Sequence, residues 1–315
     1  MVMDVGFIGL GQMGSAIAEQ LVAAGHNLHV HDPNPTAARA LVEQGAEPHP
    51  DPRCVANRAE IIFVCLPSAE VSEGVAREVA LGSRARILVE MSTIGRPAVE
   101  RLAGYLGDAG IKVVDAPISG GPKGARNNNL AIMAAGADED IAEVMPLLNE
   151  IGSQVFVVDQ RPGRGQVMKV VNNLISGAIM AVTYETLVMG TKAGLDPDIM
   201  IEVLNASSAR NSATLQKVPC AILTGTFDFG ASVRTITKDV SVGLDEARTQ
   251  GVPMWVSETV VQLWRFAECQ ADPENDYTTL IRFMEDWAGT KVRRSASRVQ
   301  SSDCDSKSAG VLKRT

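Results

Sequence analysis

Histidine is absent from most of this 315-residue chain: all four histidines lie between residues 26 and 49. The five cysteines are scattered and include no C-x-x-C pair, the spacing that redox pairs and many zinc sites use. Any catalytic site in the second half of the chain must therefore be built without imidazole. The pattern predicts no metal site.

Long apolar runs and a basic surface are absent too. No apolar run approaches the roughly 20 residues of a membrane-spanning helix, and Asp4 and glycines interrupt the apolar N-terminus, which reads as a strand rather than a secretion signal. Residues 291–315 hold seven Lys or Arg against two Asp, which leaves 22 basic against 35 acidic residues before them. Phosphate contacts require clustered cations. We therefore expect a cytoplasmic protein whose partners include neither nucleic acid nor a membrane.

Short apolar runs alternate with amphipathic helical stretches up to about residue 158. The strand candidates are VGFIGL, NLHVHD, EIIFVCLP, RILVEMS, IKVVDAP, LAIMAAG and QVFVV. This alternation is typical of βαβ units in a parallel sheet, and continuous runs such as IIFVCL predict strands that are covered on both faces.

Beyond DQRPG at 159–163 the pattern becomes helical, starting with a proline-free stretch from Gly165 to Ala193 that is long enough to link two domains. We predict an α/β protein with three regions. Residues 1–162 form a Rossmann-type doubly wound sheet, residues 163–290 form an all-helical domain joined to it by the long helix, and residues 291–315 form a disordered basic tail.

Gly9, Gly11 and Gly14 follow the first predicted strand and open a helix. In such a G-x-G-x-x-G pattern the first glycine permits a tight turn, the second lets a pyrophosphate approach the backbone, and the third lets helix and strand pack closely. Asp32 ends the second predicted strand, where a carboxylate accepts ribose hydroxyls and repels a 2′-phosphate. Arg39 is expected on the surface of the next helix. The pattern predicts a dinucleotide site that favours NAD over NADP, with a ligand-free glycine turn as the alternative.

The carboxyl ends of later strands should lie beside this turn, because doubly wound sheets bind ligands at that edge. His29 and His31 are interpreted instead as residues of a sheet face. The predicted cofactor residues are Gly9, Leu10, Gly11, Gln12, Met13, Gly14, Asp32, Leu66, Pro67 and Thr93.

A turn at Ser119, Gly120 and Gly121 follows another predicted strand. Consecutive backbone amides and a hydroxyl in such a turn suit a carboxylate or another oxyanion. A serine nucleophile is the alternative, but no histidine after residue 49 exists to activate it and the turn does not match G-x-S-x-G.

Lys169 lies in the long predicted helix, four residues before Asn173, so both side chains project from one helix face. Val170, Val171 and Leu174 surround the lysine and predict partial burial, which disfavours the ammonium form and suits proton exchange near neutral pH. A snorkelling surface lysine is the alternative. Because the Tyr-x-x-x-Lys pair of short-chain dehydrogenases is absent and histidine is excluded by its placement, lysine remains as the general acid/base.

The chain resembles the β-hydroxyacid dehydrogenase family, which includes 3-hydroxyisobutyrate dehydrogenase and tartronate semialdehyde reductase. The resemblance covers nearly the whole folded chain and rests on four motifs in order: GFIGLGQMG at 6–14, DAPISGGPKGA at 115–125, GRGQVMKVVNN at 163–173 and KDV at 238–240. It implies a fold like that of 6-phosphogluconate dehydrogenase. The implied roles are substrate binding by Ser119, Gly120 and Gly121, acid/base work by Lys169, substrate positioning by Asn173, and a place near the nicotinamide or substrate for Lys238.

The predicted function is reversible, NAD-dependent oxidation of a small carboxylate-bearing 3-hydroxy acid to its 3-oxo acid or semialdehyde. An NADH-dependent reductase of a small aldehyde acid such as tartronate semialdehyde is one alternative, and a catalytically silent NAD-binding regulatory protein is another. Asn128 stands where the family usually has glycine, and asparagine is the best other choice for left-handed backbone.

Bulky apolar residues in the C-terminal helices form either core or, as the resemblance implies, the interface of a homodimer or homotetramer. These residues are Met254, Trp255, Trp264, Phe266, Phe283 and Trp287.

Overall fold

The computed structural model describes residues 2–294, so the predicted tail from residue 295 onward lies outside the described residues. The chain divides into two compact units between Asn172 and Asn173.

The strands are β1 Asp4–Ile8, β2 Asn27–His31, β3 Glu47–Pro48, β4 Ile61–Val64, β5 Ile87–Glu90, β6 Lys112–Asp115, β7 Ile118–Ser119, β8 Ala131–Ala135 and β9 Gln154–Asp159. The helices of the first part are α1 Gln12–Ala23, α2 Arg39–Glu43, α3 Pro52–Ala56, α4 Ala69–Val79, α5 Arg96–Asp108, α6 Gly121–Arg126, α7 Asp138–Ile151 and the long α8 Arg164–Lys192. They are followed by α9 Pro197–Ala206, a π-helix Ala213–Ile222, α10 Val233–Thr249, α11 Trp255–Gln270, a 3₁₀ turn Tyr277–Thr279 and α12 Leu280–Ala288.

Strands β1 to β6 form a parallel sheet in the order β3-β2-β1-β4-β5-β6, which is the strand order of a Rossmann fold. All seven predicted strands are present, and the two-residue strands β3 and β7 are additional. Because these strands are parallel, their carboxyl ends lie along one edge of the sheet, where the predicted cofactor residues follow them.

The sheet is mixed, and the prediction of a parallel sheet is therefore wrong after β6. Strand β8 pairs antiparallel with both β6 and β7, while β9 runs parallel to β8. The direction reverses because α6 has only six residues and β7 folds back along β8, so no full crossover helix restores the direction of β6. Within this connection Asn128 has a φ of 48°, the left-handed conformation that was predicted for it.

Hydrophobic cores cover both faces of the sheet, as the continuous apolar runs predicted. Successive residues of a strand point to opposite faces, and in β1 Phe7 packs into one core while Ile8 packs into the other. Helix α1 contributes Ile17 and Leu21 to the first core. All four residues of β4 are buried for the same reason.

The second unit is helical and has its own core around Trp264 and Tyr184, which are both fully buried. Glycines let its helices approach closely. A Cβ added at Gly243 of α10 would lie 2.7 Å from the side chain of Leu174, and one at Gly177 of α8 would lie 3.0 Å from Val240. The bulky C-terminal residues are thus divided between core and surface, since Trp264 is buried whereas Trp255, Phe266 and Trp287 are exposed.

Helix α8 belongs to both units. The predicted boundary between residues 162 and 163 lies just before α8, which begins at Arg164. The units instead divide inside this helix, because Gln166 and Lys169 in its first two turns bond to residues of the first unit. Among the described helices, α8 alone has the length and hydropathy of a membrane span. Half of that apolar stretch is buried inside the protein.

Residues 291–294, the first four of the predicted tail, pack within the second unit. Val292 is fully buried, and its amide donates to Glu285 Oε1 over 2.8 Å. The guanidinium of Arg293 donates to the same carboxylate, which is itself fully buried. The helical unit therefore extends at least to residue 294.

Candidate active site

Two of the three predicted cofactor glycines are required by the protein itself. Gly9 has a φ of 93°, and a Cβ there would lie 2.3 Å from the carbonyl oxygen of Cys65. A Cβ at Gly14 would lie 1.9 Å from the carbonyl oxygen of Gly9, so any side chain would push α1 away from the turn. These contacts give the close packing of helix and strand that the sequence pattern predicted.

Gly11 differs from both, because a Cβ added there would meet no atom of the described residues within 4 Å. Its φ of −65° is also accessible to any residue. The fold therefore does not require glycine at position 11. The open space over this backbone fits the close approach of a dinucleotide pyrophosphate.

The start of α1 is suited to an anion. Gly11 is the N-cap residue, and no side chain within residues 2–294 caps this end of the helix, which begins with Gln12 and Met13. The first amides of a helix lack intrahelical acceptors and carry partial positive charge. This chain therefore offers backbone donors for a phosphate group at the place that the sequence predicted.

Asp32 lies beside the glycine turn and is held there by two backbone amides. Its Oδ2 accepts from the amide of Leu10 and its Oδ1 accepts from the amide of Asn34, each over 2.8 Å. Arg39, which could in principle pair with a 2′-phosphate, is an exposed residue of α2 whose Nε lies 3.4 Å from Glu43 Oε1 one helical turn away. The carboxylate thus lies where the adenosine ribose of a bound dinucleotide is expected.

Ser92 and Gln166 connect the loops that follow β4 and β5. The amide of Leu66 donates to Ser92 Oγ over 2.7 Å, and the fully buried Gln166 donates from Nε2 to the carbonyl oxygen of Ser92. The Oε1 of Gln166 accepts from the amides of Ile94 and Gly95. Sequence reasoning missed both residues, because their partners are 26 to 74 positions away along the chain.

The other predicted residues of this edge lie in the same two loops. Pro67 is exposed in the loop after β4, and Thr93 is half-buried between Ser92 and Ile94 in the loop after β5. Their place at the carboxyl ends of central strands agrees with the predicted position. Their contact with a cofactor stays a prediction.

Two buried acidic residues, Glu90 and Asp115, are register partners at the ends of the neighbouring strands β5 and β6. Burial raises the pKa of each to about 7. Asp115 nevertheless has clear structural partners, since it accepts from the amides of Gly163 and Gln166 at the start of α8. Asp115 thereby fixes the start of the helix that carries Lys169. Sequence reasoning missed it although it opens the DAPISGG motif.

Replacing Glu90 with glutamine should stabilise the protein at alkaline pH. Burial raises the pKa of Glu90 from 4.5 to about 7. The contribution of this carboxyl group to the free energy of unfolding is therefore fully present below pH 4.5 and is lost as the pH rises through about 7. Glutamine cannot ionise, so the variant should gain about 3 kcal/mol in free energy of unfolding at pH 8. Urea denaturation at pH 5 and pH 8 measures this; equal differences from wild type at both pH values would contradict it.

Lys169 lies directly beside the predicted substrate turn. Its Nζ donates to the carbonyl oxygen of Ile118 over 2.6 Å, and the residue is only 8% exposed. Ile118 immediately precedes Ser119, and Gly120 and Gly121 follow with φ values of 140° and 66°, which favour glycine. The alternative of a snorkelling surface lysine is therefore wrong. The first unit brings the amine and the Ser119 turn together.

Asn173 and Lys238 are brought together in the second unit by a residue that sequence reasoning missed. Asp239 accepts from Asn173 Nδ2 over 2.8 Å, and Lys238 Nζ lies 3.2 Å from its other oxygen. Asn173 and Asp239 are buried. The only sequence signal for Asp239 was its place in the KDV motif, and its carboxylate fixes which way the Asn173 amide points.

A second buried lysine, Lys217, lies in the π-helix and was not predicted from the sequence. Its ammonium lies 5.5 Å from the ring centre of Phe229 and 3.2 Å from Ser212 Oγ. Burial lowers the pKa of Lys217 to about 8. Lys217 is therefore an alternative to Lys169 as a proton-exchanging amine. The two lysines differ in their surroundings, because Lys217 lies near an aromatic ring.

Known families match both parts of the chain. Residues 4–159 match the NAD-binding domain of 6-phosphogluconate dehydrogenase, and residues 163–284 match the NAD-binding domain of NADP-dependent 3-hydroxyisobutyrate dehydrogenase. The chain is 31% identical to 2-(hydroxymethyl)glutarate dehydrogenase of Eubacterium barkeri, over 91% of this chain and 97% of that protein. It is 34% identical to 3-hydroxyisobutyrate dehydrogenase of Pseudomonas aeruginosa, over 78% of this chain and 85% of that protein.

Among solved structures, the fold matches Mycobacterium tuberculosis 3-hydroxyisobutyrate dehydrogenase with L-serine at a TM-score of 0.83. The two chains are 24% identical, and the match covers 90% of this chain and 99% of the other. At that level of identity the likeness concerns the fold. It agrees with the Rossmann-type unit and the helical unit described above.

Proposed function

Since the chain belongs to the β-hydroxyacid dehydrogenase family, we propose that it oxidises a small 3-hydroxy acid with NAD, using Lys169 as general acid/base. That it is an NAD(P)-dependent oxidoreductase acting on the CH–OH group of hydroxy acids follows from its relatives. The observation that carries the residue assignment is the hydrogen bond from Lys169 Nζ to the carbonyl oxygen of Ile118, which lies next to the Ser119 turn.

The cofactor is held by the glycine turn and Asp32. The amides around Gly11 and at the start of α1 bind the pyrophosphate, and Asp32 accepts the ribose hydroxyls. Leu66, Pro67 and Thr93 would line the path toward the nicotinamide, and Lys238 is assigned to cofactor binding from the family resemblance. When bound, the cofactor supplies C4 of nicotinamide as the acceptor of a hydride.

The protein's own residues hold the substrate and move its proton. The Ser119 hydroxyl and the amides of Gly120 and Gly121 bind the carboxylate. Asn173, fixed by Asp239, orients the hydroxyl-bearing carbon. Lys169 takes the hydroxyl proton while the carbinol C–H bond delivers its hydride, so the alcohol becomes a carbonyl group and the lysine becomes an ammonium ion. In reverse, the same ammonium returns the proton to the carbonyl oxygen.

A substrate screen with purified protein tests the proposal. Hydroxyisobutyrate, glycerate, serine, threonate and hydroxybutyrate are each supplied with NAD and with NADP, and formation of the reduced cofactor is followed. We expect turnover with at least one 3-hydroxy acid and a higher kcat/KM with NAD. Nucleotide binding without turnover on any member of the panel would contradict the proposal and favour a silent NAD-binding protein.

The preference for NAD should depend on the charge of Asp32. In Asp32→Asn the amide oxygen still accepts one of the two backbone hydrogen bonds, while the charge that repels a 2′-phosphate is lost. The ratio of kcat/KM for NAD over NADP should fall at least about tenfold, since removal of one close like charge is worth at least ~1.4 kcal/mol. An unchanged ratio would show that another residue sets the preference.

We further propose that the protein forms a homo-oligomer through α8 and the C-terminal aromatic residues. Ile175, Val182 and Met189 are spaced by seven residues along α8, lie on one helix face, and are 54 to 67% exposed. Trp287 is 65% exposed and packs against Phe266. A large exposed apolar surface of this kind is typical of subunit contacts.

Light scattering should give the mass of a dimer or tetramer, and Val182→Glu should dissociate this oligomer. A monomeric wild-type protein would contradict the proposal.

We also infer that the enzyme works in the cytoplasm, with neither nucleic acid nor a membrane as a partner. The acidic balance of the first 290 residues supports this, because it disfavours binding to phosphate-rich surfaces. The burial of half the apolar stretch of α8 supports it as well.

A further inference from the structure

Three metal-ligating side chains meet at the outer edge of the parallel sheet. His29 of β2 and Glu47 of β3 are register partners on adjacent strands, and His49 follows β3. The donor atoms of the three side chains all lie within 4.8 Å of one another. No predicted role in cofactor or substrate binding uses them, and their spacing along the sequence gave no metal signature.

The distances among the donor atoms suit a small ion. His29 Nδ1 lies 3.0 Å from His49 Nε2 and 3.5 Å from Glu47 Oε2, while His49 Nε2 lies 3.8 Å from Glu47 Oε1. Ligands at 2.0 to 2.1 Å around a tetrahedral zinc ion are separated by about 3.4 Å. Binding of an ion would widen the imidazole pair slightly from 3.0 Å and adjust the exposed carboxylate.

Backbone contacts hold the segment that carries His49 against β2. The His49 amide donates to the carbonyl oxygen of Val30 over 2.8 Å, and His31 Nδ1 bonds to the carbonyl oxygen of His49 over 3.0 Å. The side chains of His29 and His49 are only 10% and 8% exposed, whereas that of Glu47 is 56% exposed. Two largely buried imidazoles and an exposed carboxylate leave the cluster open to an ion and to water on the side of Glu47.

We propose that His29, Glu47 and His49 bind a zinc ion, with water completing a tetrahedral coordination shell. Two imidazoles and one carboxylate are a donor set that suits zinc, whereas calcium and magnesium prefer oxygen ligands alone. The ion fixes the two-residue strand β3 to β2, the strand that ends just before Asp32. The hydrogen bond that joins the imidazole pair at 3.0 Å would be replaced by bonds to the ion.

Calorimetric titration of the EDTA-treated full chain with zinc chloride tests the site. We expect one ion per chain, at least about hundredfold weaker binding in His49→Asn as expected for loss of a direct ligand, and a zinc-induced rise in melting temperature that this variant lacks. His26→Asn is the matched control, because His26 bonds to Glu150 outside the cluster and its loss should leave zinc affinity unchanged. Absence of saturable binding, or equal affinity in His49→Asn, overturns the proposal.

Two further measurements separate loss of the ligands from unfolding and from binding of the ion by cysteine. If circular dichroism shows that His49→Asn is unfolded, Glu47→Gln decides, since its exposed side chain tolerates the change; we expect at least about tenfold weaker binding, and unchanged affinity overturns the proposal. Cobalt substitution tests for binding at cysteine thiols such as those of Cys54 and Cys269. A thiolate-to-cobalt charge-transfer band would place the ion on cysteine and overturn the proposal, whereas its absence supports the nitrogen and oxygen ligands.

Discussion

Lys169→Ala should lower turnover at least about hundredfold while leaving dinucleotide binding nearly unchanged. The expected size is that of a lost general acid/base. The amine is only 8% exposed and bonds to the carbonyl oxygen of Ile118, so bulk water has poor access to replace it. Dinucleotide binding should persist because the residues proposed to hold the cofactor are the glycine turn and Asp32, and the Asp32 carboxylate is held by the amides of Leu10 and Asn34 rather than by Lys169. Stopped-flow or steady-state turnover, with fluorescence titration of the cofactor, measures both effects.

Two companion variants make the result specific. Lys169→Arg keeps the positive charge but cannot release a proton near neutral pH, so it should be as inactive as the alanine variant. Lys217→Met removes the other buried amine, whose pKa is lowered to about 8, and should leave kcat within about threefold of wild type. Near-normal turnover in Lys169→Ala, together with loss of turnover in Lys217→Met, would transfer the acid/base role to Lys217.

Gly11→Ala and Gly14→Ala should separate cofactor binding from folding. At Gly14 a Cβ would lie 1.9 Å from the carbonyl oxygen of Gly9, so the substitution should lower the free energy of unfolding by about 3 kcal/mol, at the upper end for overpacking. At Gly11 the space within 4 Å of an added Cβ is open among the described residues. Gly11→Ala should therefore keep the stability of the cofactor-free protein and weaken NAD binding at least about tenfold by blocking the pyrophosphate.

Chemical denaturation without cofactor and calorimetric NAD titration are the measurements for this pair. Gly25→Ala is a poor control because its φ is 90°, whereas Gly104 of α5 has open space around it and a helical backbone. Gly104→Ala should leave NAD affinity unchanged. If Gly11→Ala bound NAD as tightly as wild type, the pyrophosphate would not lie over that backbone.

The first half of the fold was predictable because its sequence pattern is local. A buried parallel strand such as β4 appears as an uninterrupted apolar run, and the glycine turn and Asp32 have fixed spacings. The reversal after β6 was not predictable in this way. It depends on β7 pairing with β8 and on the short α6, and a two-residue strand such as Ile118–Ser119 leaves no periodic signal.

The residues that we propose to act directly can be named from the sequence more readily than those that position them. Lys169 and Ser119 belong to motifs whose residue types indicate their chemistry. Asp115, Gln166 and Asp239 act through partners 48 to 74 positions away along the chain. Such pairings follow from the tertiary fold, so the sequence alone gave no reason to join a carboxylate at the end of β6 to the start of α8.

The hydrogen bonds of Ser92 and Gln166 join the loops after β4 and β5 into one cooperative unit. The amides of Leu66, Ile94 and Gly95 all end on these two side chains, so their protons should exchange with deuterated solvent at one common rate set by one shared opening. The rate at which a ligand leaves past this edge would then be set by the rate of that shared opening, and not by separate openings of the two loops.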